Sequence, residues 1–223
     1  MPSPRHKVVI VGGGFGGLSA AKALGKANVD IVLIDRRNHH LFQPLLYQVA
    51  TAALSPSEVA WPIRHLLRRQ DNVRVLMGTV SGVDTKAKRV LLEDGAQEPF
   101  DSLVLATGAQ HAYFGHDEWE TFAPGLKTVE DATAIRRKLL LALEAAERET
   151  DDERRKGLLT FTIIGGGPTG VEMAGAIIEL GRASIRGQFN TLDPKDLRVV
   201  LVEGGERVLS NFDPELSDYT LKA

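Results

Sequence analysis

Short apolar runs alternate along this chain with longer segments of helical spacing, the pattern of parallel strands joined by helices. In 7–11, Lys7 is followed by four β-branched residues without polar alternation, as a strand buried on both faces requires. Glycines occupy 12–14 and 16–17, after which a helix is predicted over about 17–25. A second buried strand over 31–34 ends at Asp35. Together they make a βαβ unit, whose right-handed crossover lays the two strands side by side. The order returns later, with a strand over 160–164, a helix over about 169–182 and a strand over 198–202 that ends at Glu203. Between the two units, 128–150 carries the clearest helical signal. Thr128 and Asp131 have the spacing of a capping box, and Ala132, Ile135, Leu139 and Leu143 recur on one face.

The remaining segments are shorter. A helix is expected to begin near Pro56-Ser57-Glu58 and to end in the basic stretch 64–69. Strand candidates at 73–76, 79–83, 89–92 and 102–106, with turns at 85–88 and 94–96, suggest a β-meander laid over the first unit. The mixed-sign charge run 147–156 reads as a solvated helix end and linker. Residues 187–196 read as an extension inserted before the second unit's last strand, with a turn at Asp193-Pro194. Asp213-Pro214 has N-cap and first-turn chemistry for a final helix, and the chain stops inside it at Ala223. The fold expected is α/β, with two Rossmann-like dinucleotide-binding units and a β-meander, both units incomplete at the C-terminus. The expected division is 1–125 for the first binding domain, 126–157 for a connecting helix and linker, and 158–223 for a truncated second domain.

Composition narrows the chemistry. The 223 residues carry a formal net charge of −2, which gives no reason to expect a nucleic-acid partner. No cysteine is present, so no disulfide, redox dithiol or thiolate–flavin adduct can form from this chain. The six histidines lack metal-ligand spacing, and no metal site is expected. No signal peptide is expected either, because Lys7 leads almost at once into the first strand. The longest uncharged stretch, 38–57, is broken by Gln43, Pro44, Gln48, Ser55 and Pro56 and does not have the continuity of a spanning helix.

The glycines carry the argument furthest. Gly12, Gly14 and Gly17 form one GxGxxG, and Gly165, Gly167 and Gly170 form a second. A strand turning sharply into a helix offers free backbone N–H groups and about half a positive charge to a pyrophosphate. The first glycine permits the turn, the second lets phosphate touch backbone, and the third lets helix and strand pack closely. An acid ending the next strand can accept hydrogen bonds from an adenosine ribose. Asp35 follows Gly12 by 23 positions, near the expected interval, whereas Glu203 follows Gly165 by 38. Glu203 is followed by glycines rather than arginines, which favours a coenzyme without a 2′-phosphate, with Arg207 nearby. One such motif could be a packing turn alone; two, each with its acid, point to two dinucleotides.

The residues between the motifs resemble a known family. LVLATGA, from Leu103 to Ala109, looks like the segment of two-dinucleotide-binding flavoproteins that returns to the FAD. FQPLLYQVA, from Phe42 to Ala50, resembles type II NADH dehydrogenases, the single-subunit NADH:quinone oxidoreductases. Tyr113-Phe114-Gly115, Leu126-Lys127-Thr128 and GGGPTGVE, from Gly165 to Glu172, look like the same family, so the resemblance covers residues 7–223. It implies that Gly12, Gly14, Phe15, Gly16 and Gly17 cradle the FAD pyrophosphate, that Asp35 holds its ribose and that Val80 presents backbone to its adenine. Thr107 and Gly108 would close over the FAD. Gly165, Gly167, Pro168, Thr169 and Gly170 would hold the NADH pyrophosphate, with Glu203 on its ribose and Glu172 near nicotinamide and flavin. Hydride would pass from NADH to the flavin and two electrons onward to a quinone, with little demand on side chains beyond orientation and water exclusion. Pro44 to Ala50, with Gln48, would line the quinone's approach, or would equally serve as a buried packing loop.

The resemblance further implies a protein on the cytoplasmic face of the cell membrane, attached through a C-terminal region absent from this chain, and it is compatible with a homodimer. Family members continue beyond Ala223, so this chain reads as a truncated portion, soluble and cytoplasmic on its own. Two other readings stay open: a catalytically incompetent dinucleotide-binding fragment, and a soluble FAD-dependent reductase of an iron–sulfur protein. FQPLLYQVA disfavours the latter.

Overall fold

The computed structural model describes residues 5–222, so Ala223 lies outside the described residues. From the N-terminus run β1 (His6–Val11), α1 (Phe15–Ala23), β2 (Val29–Asp35), β3 (His39–Leu41), α2 (Leu46–Ala50), α3 (Pro56–Val59), β4 (Ala60–Pro62) and α4 (Ile63–Leu66). Five strands follow: β5 (Val73–Met77), β6 (Val80–Asp84), β7 (Arg89–Leu92), β8 (Gln97–Pro99) and β9 (Ser102–Leu105). The remainder comprises α5 (Val129–Arg148), α6 (Asp152–Leu158), β10 (Thr160–Ile164), α7 (Pro168–Gln188), β11 (Arg198–Val202) and α8 (Pro214–Lys222). By contacts the chain forms two units, one comprising residues up to 42 with 60–110, the other 43–59 with 111 onward.

The first unit is built on a parallel sheet of order β5-β2-β1-β9. Its central strands are buried on both faces, which is why their sequences show no alternation. Val8, Ile10, Ile31 and Leu33 pack with Leu18 and Ala21 of α1 and with Ile63 and Leu67. Val9, Val11, Val32 and Ile34 face the other way and pack with Val90 and Leu92 of β7. Fully burying each such side chain contributes about 1.5–3 kcal/mol of transfer free energy. Glu98 of β8 is 9% exposed and meets two cations: Arg74 donates to both of its carboxylate oxygens at 2.8 Å, and Lys7 forms a second ion pair with it.

Three expectations are corrected in this unit. The meander is β6-β7-β8 alone. Segments 73–77 and 102–105 instead join the parallel sheet at its two edges, where β2 and β1 supply their backbone partners. Strand β8 carries no hydrophobic alternation and was not expected. The single helix expected between 56 and 69 is broken by β4, because Ala60–Pro62 pairs antiparallel with His39–Leu41. Pro62, with no N–H to give a helix, caps α4 instead.

The second unit contains the parallel pair β10–β11 and the crossover helix α7. Helix α5 begins at the expected capping box: Asp131 N–H donates to Thr128 Oγ1 at 3.0 Å, and Asp131 Oδ2 accepts from Thr128 N–H at 2.9 Å. Its buried stripe is Ala132, Leu139, Leu143 and Ala146, while Ile135 is half-buried. Asp151 caps α6, so part of the charged linker is helical. Asp213 caps α8 as expected, accepting from Glu215 N–H at 3.0 Å. Helix α7 runs further than the sequence suggests, 21 residues against nine in α1, which covers most of the delay before Glu203. The surplus is mainly extra helix, and the inserted loop is shorter than expected.

Candidate functional site

Each unit presents the same loop at the C-terminal end of its first strand, the position where doubly wound sheets hold ligands. In the first, Gly12 takes φ +104°, and its N–H donates to Ile34 carbonyl at 2.7 Å. Gly13 N–H donates to Asp35 Oδ2 at 2.5 Å, and Arg37 N–H donates to Oδ1 at 2.7 Å. Gly14 then caps α1 with no side chain of its own. In the second, Gly165 takes φ +107°, and its N–H donates to Val202 carbonyl at 2.8 Å. Gly166 N–H donates to Glu203 Oε2 at 2.5 Å, and Gly205 N–H to Oε1 at 2.8 Å. Gly167 caps α7, and Pro168 takes the first helical position, where its missing N–H costs nothing.

The three glycines of each motif meet different constraints. A Cβ on Gly17 would collide with the carbonyl of Gly12, and one on Gly170 with that of Gly165, so these two let the helix lie on its strand. A Cβ on Gly12 would collide with the carbonyl of Ala106, which brings Thr107 and then Gly108 beside the first loop. At Gly14 and Gly167 a Cβ would find nothing within 4 Å. Here the backbone is bare and the helix N-terminus open, a cradle with room for a pyrophosphate and no packing reason to be glycine. The residues therefore fit the two dinucleotides that the sequence implied.

Electrostatics complete each loop. Hydrogen bonds from the N–H groups of Gly205 and Gly166 hold the Glu203 carboxyl below the usual carboxylate range. Arg207 Nη2 donates to the carbonyls of Ser210 at 2.9 Å and Phe212 at 3.0 Å.

The structure also names residues that pattern reading passed over. His40 Nδ1 donates to the carbonyl of Gly13 at 3.0 Å. The His40 ring and that of Phe42 stand edge-on to Phe15, at 5.0 Å and 5.5 Å between centroids. The β3–β4 pairing that sets His40 beside the loop has no local signal.

The other predicted residues lie on elements that adjoin these loops or stand apart from them. Val80 opens β6 and packs on the sheet face formed by Val9, Val11, Val32 and Ile34. Gly16 is exposed on α1, and Thr169 on the first turn of α7. Glu172 is exposed on α7, and Gln48 lies half-buried in α2, its Nε2 donating to Tyr47 Oη at 3.1 Å. Helix α2 packs on α5 and α7. Leu46, Val49 and Ala50 are buried, so packing accounts for those three, while Gln43 and Pro44 stay exposed. No helix among the described residues is long and apolar enough to cross a membrane.

Comparison with known proteins agrees with this geometry. The family profile described as pyridine nucleotide-disulphide oxidoreductase matches residues 6–223. The chain is 52% identical over 215 residues to the type II NADH:quinone oxidoreductase NdhA of Mycobacterium tuberculosis, covering 95% of this chain and 46% of that protein. It is 33% identical to the external alternative NADH-ubiquinone oxidoreductase of Yarrowia lipolytica mitochondria, covering 98% of this chain and 39% of that one. Among solved structures it superposes on Plasmodium falciparum NDH2 in complex with NADH with a TM-score of 0.89 at 25% identity, covering 98% of this chain and 45% of that one. The chain thus spans about half the length of the curated relatives it matches.

Proposed function

Since the chain belongs to the pyridine nucleotide-disulphide oxidoreductase family, we propose that it is the nucleotide-binding portion of a type II NADH:quinone oxidoreductase. In this reading 1–125 is the FAD domain, 126–157 a connecting helix and linker, and 158–223 the NADH domain. Gly12, Gly14, Phe15, Gly16 and Gly17 hold the FAD pyrophosphate, Asp35 the ribose and Val80 the adenine, with Thr107 and Gly108 closing over the cofactor. Gly165, Gly167, Pro168, Thr169 and Gly170 hold the NADH pyrophosphate, and Glu203 its ribose. FAD, when bound, supplies the two-electron acceptor for the coenzyme's hydride.

This chain's own residues supply orientation. The loop N–H groups and helix N-termini fix the pyrophosphates, the third glycine of each motif fixes the helix they cap, and the acid fixes the ribose. An ionised Glu203 repels a 2′-phosphate, and Arg207 is engaged elsewhere, which supports NADH over NADPH. Glu172 stands near the nicotinamide and flavin, and Gln48 with the 44–50 segment at the quinone's approach. The whole protein works in this reading at the cytoplasmic face of the cell membrane, with quinone as its acceptor, and a homodimer is compatible with it.

One observation carries the reading: the same strand–glycine loop–helix–acid arrangement is built twice, down to the 2.5 Å bond between the second loop glycine and the acid. The test is to purify the chain in the presence of FAD and add NADH without oxygen. A visible flavin band that bleaches supports the proposal. A colourless protein that binds NADH would reduce the chain to a dinucleotide-binding fragment.

A further inference from the structure

A second constellation lies at the far end of α7. Arg182 and Arg186 stand one turn apart on that helix, and Lys195 faces them from the loop before β11. With Ile178, Pro194 and Leu197 they line an open groove of about 320 Å³. Among the described residues, none of the three cations is paired with a carboxylate. Like charges four residues apart on a helix repel. Lys195 is exposed like the two arginines, so all three head groups are open to an anion from solvent.

The loop that carries Lys195 is firmly held. Leu192 is buried in the core formed by Leu143, Ala146, Leu159 and Ile185, and Leu197 packs against the same cluster. At the loop's entry, Glu147 accepts from Asn190 N–H at 2.9 Å and from Thr191 Oγ1 at 2.7 Å. Between these anchors, Asp193 Oδ1 accepts from Lys195 N–H at 2.9 Å, closing the turn. Gly181 permits the close approach, since a Cβ there would collide with the Leu197 side chain. The loop side of the groove is thus anchored, and three exposed cations line it beside Ile178, Pro194 and Leu197.

We propose that Arg182, Arg186 and Lys195 form a binding site for the phosphoryl group of a small phosphorylated ligand, separate from the two dinucleotide loops. Arginine forks match phosphate oxygens two at a time, and a lysine adds a point charge. The volume lies at the small end of ligand pockets and suits a pyrophosphate or a phosphate ester. A soluble metabolite and the headgroup of an anionic lipid present the same chemistry, and experiment separates them. The inference does not depend on the proposed oxidoreductase function.

Pyrophosphate affinity is measured by calorimetry on the native chain and on the R182Q/R186Q variant, with both glycine loops intact in each. Loss of two charge-assisted contacts should weaken binding at least about tenfold, while NADH affinity stays unchanged. In parallel, both chains are sedimented with phosphatidylglycerol vesicles and with neutral phosphatidylcholine vesicles. A difference confined to phosphatidylglycerol assigns the site to a lipid headgroup, and a difference with pyrophosphate assigns it to a soluble ligand. If the double variant unfolds, K195Q, on the loop, should still weaken pyrophosphate or phosphatidylglycerol binding about threefold. Equal binding by native and variant chains to both probes overturns the proposal.

Discussion

Gly17→Ala and Gly14→Ala are expected to fail in different ways, although they change the same motif by the same methyl group. At Gly17 the new Cβ would lie well inside 3.0 Å of the Gly12 carbonyl oxygen and also near Ile10 Cγ2. Neither the carbonyl nor the strand can rotate aside, so α1 must lift from β1 by on the order of 1 Å and loosen the core beneath it. The cost is about 3 kcal/mol, which for a chain of this size lowers Tm by about 6–12 °C. At Gly14 the φ of −72° is one that alanine adopts freely, and nothing lies within 4 Å of the added carbon. That variant should be as stable as the native chain, or up to about 0.5 kcal/mol more so through a stiffer unfolded state. In the proposed reading its methyl group occupies the space the pyrophosphate needs, so FAD affinity should fall at least about tenfold. Thermal unfolding without cofactor measures the first quantity, and flavin fluorescence titration the second. A Gly17→Ala chain of native stability, or a Gly14→Ala chain that holds FAD as tightly as the native one, would refute this division of roles.

Three further outcomes are expected. Because the folded pKa of Glu203 lies below 4.5, its contribution to stability is present above that value and lost as pH falls through the folded one. Urea titrations from about pH 7 to pH 3 should show the native chain losing its advantage over Glu203→Gln at the acid end, modestly, since the group is exposed. Thr128→Ala removes the α5 capping box and should cost about 1 kcal/mol by chemical denaturation, with NADH affinity unaltered. Glu98→Ala leaves Lys7 and Arg74 facing each other without their shared carboxylate. It should cost about 1–2 kcal/mol, below the full price of a buried pair because Arg74 reaches solvent, and Glu98→Gln should recover part of that in the same assay.

How much could be read from the residues depended on whether the signal was local. The strands at 7–11 and 160–164, the glycine turns and the Thr128–Asp131 cap all announce themselves within a few positions, and they stand where expected. The edge strands β5 and β9 do not, because a short, mostly apolar run looks alike in a meander and in a parallel sheet until its partner is known. Strand β4 is harder still: Ala60-Trp61-Pro62 becomes a strand only because His39–Leu41 lies alongside. The candidate site divides in the same way. Its glycines and acids were legible, whereas the His40 contact to the Gly13 carbonyl arises from that same non-local pairing. Helix α7 was underestimated because Gly181 weakens the helical pattern, while its true role is to admit Leu197.

The bond between each acid and its own loop constrains how this chain could change over evolutionary time. In the proposed reading Glu203 discriminates at the ribose, and it also shapes the turn by accepting from the Gly166 and Gly205 N–H groups. A substitution that discards its charge to admit NADPH would also release two backbone donors and unsettle the loop that grips the pyrophosphate. Coenzyme preference is therefore coupled to loop architecture, and a single-step switch should carry a penalty against both coenzymes. The readily accessible route keeps an acceptor at 203, glutamine for instance, and gains its cation elsewhere.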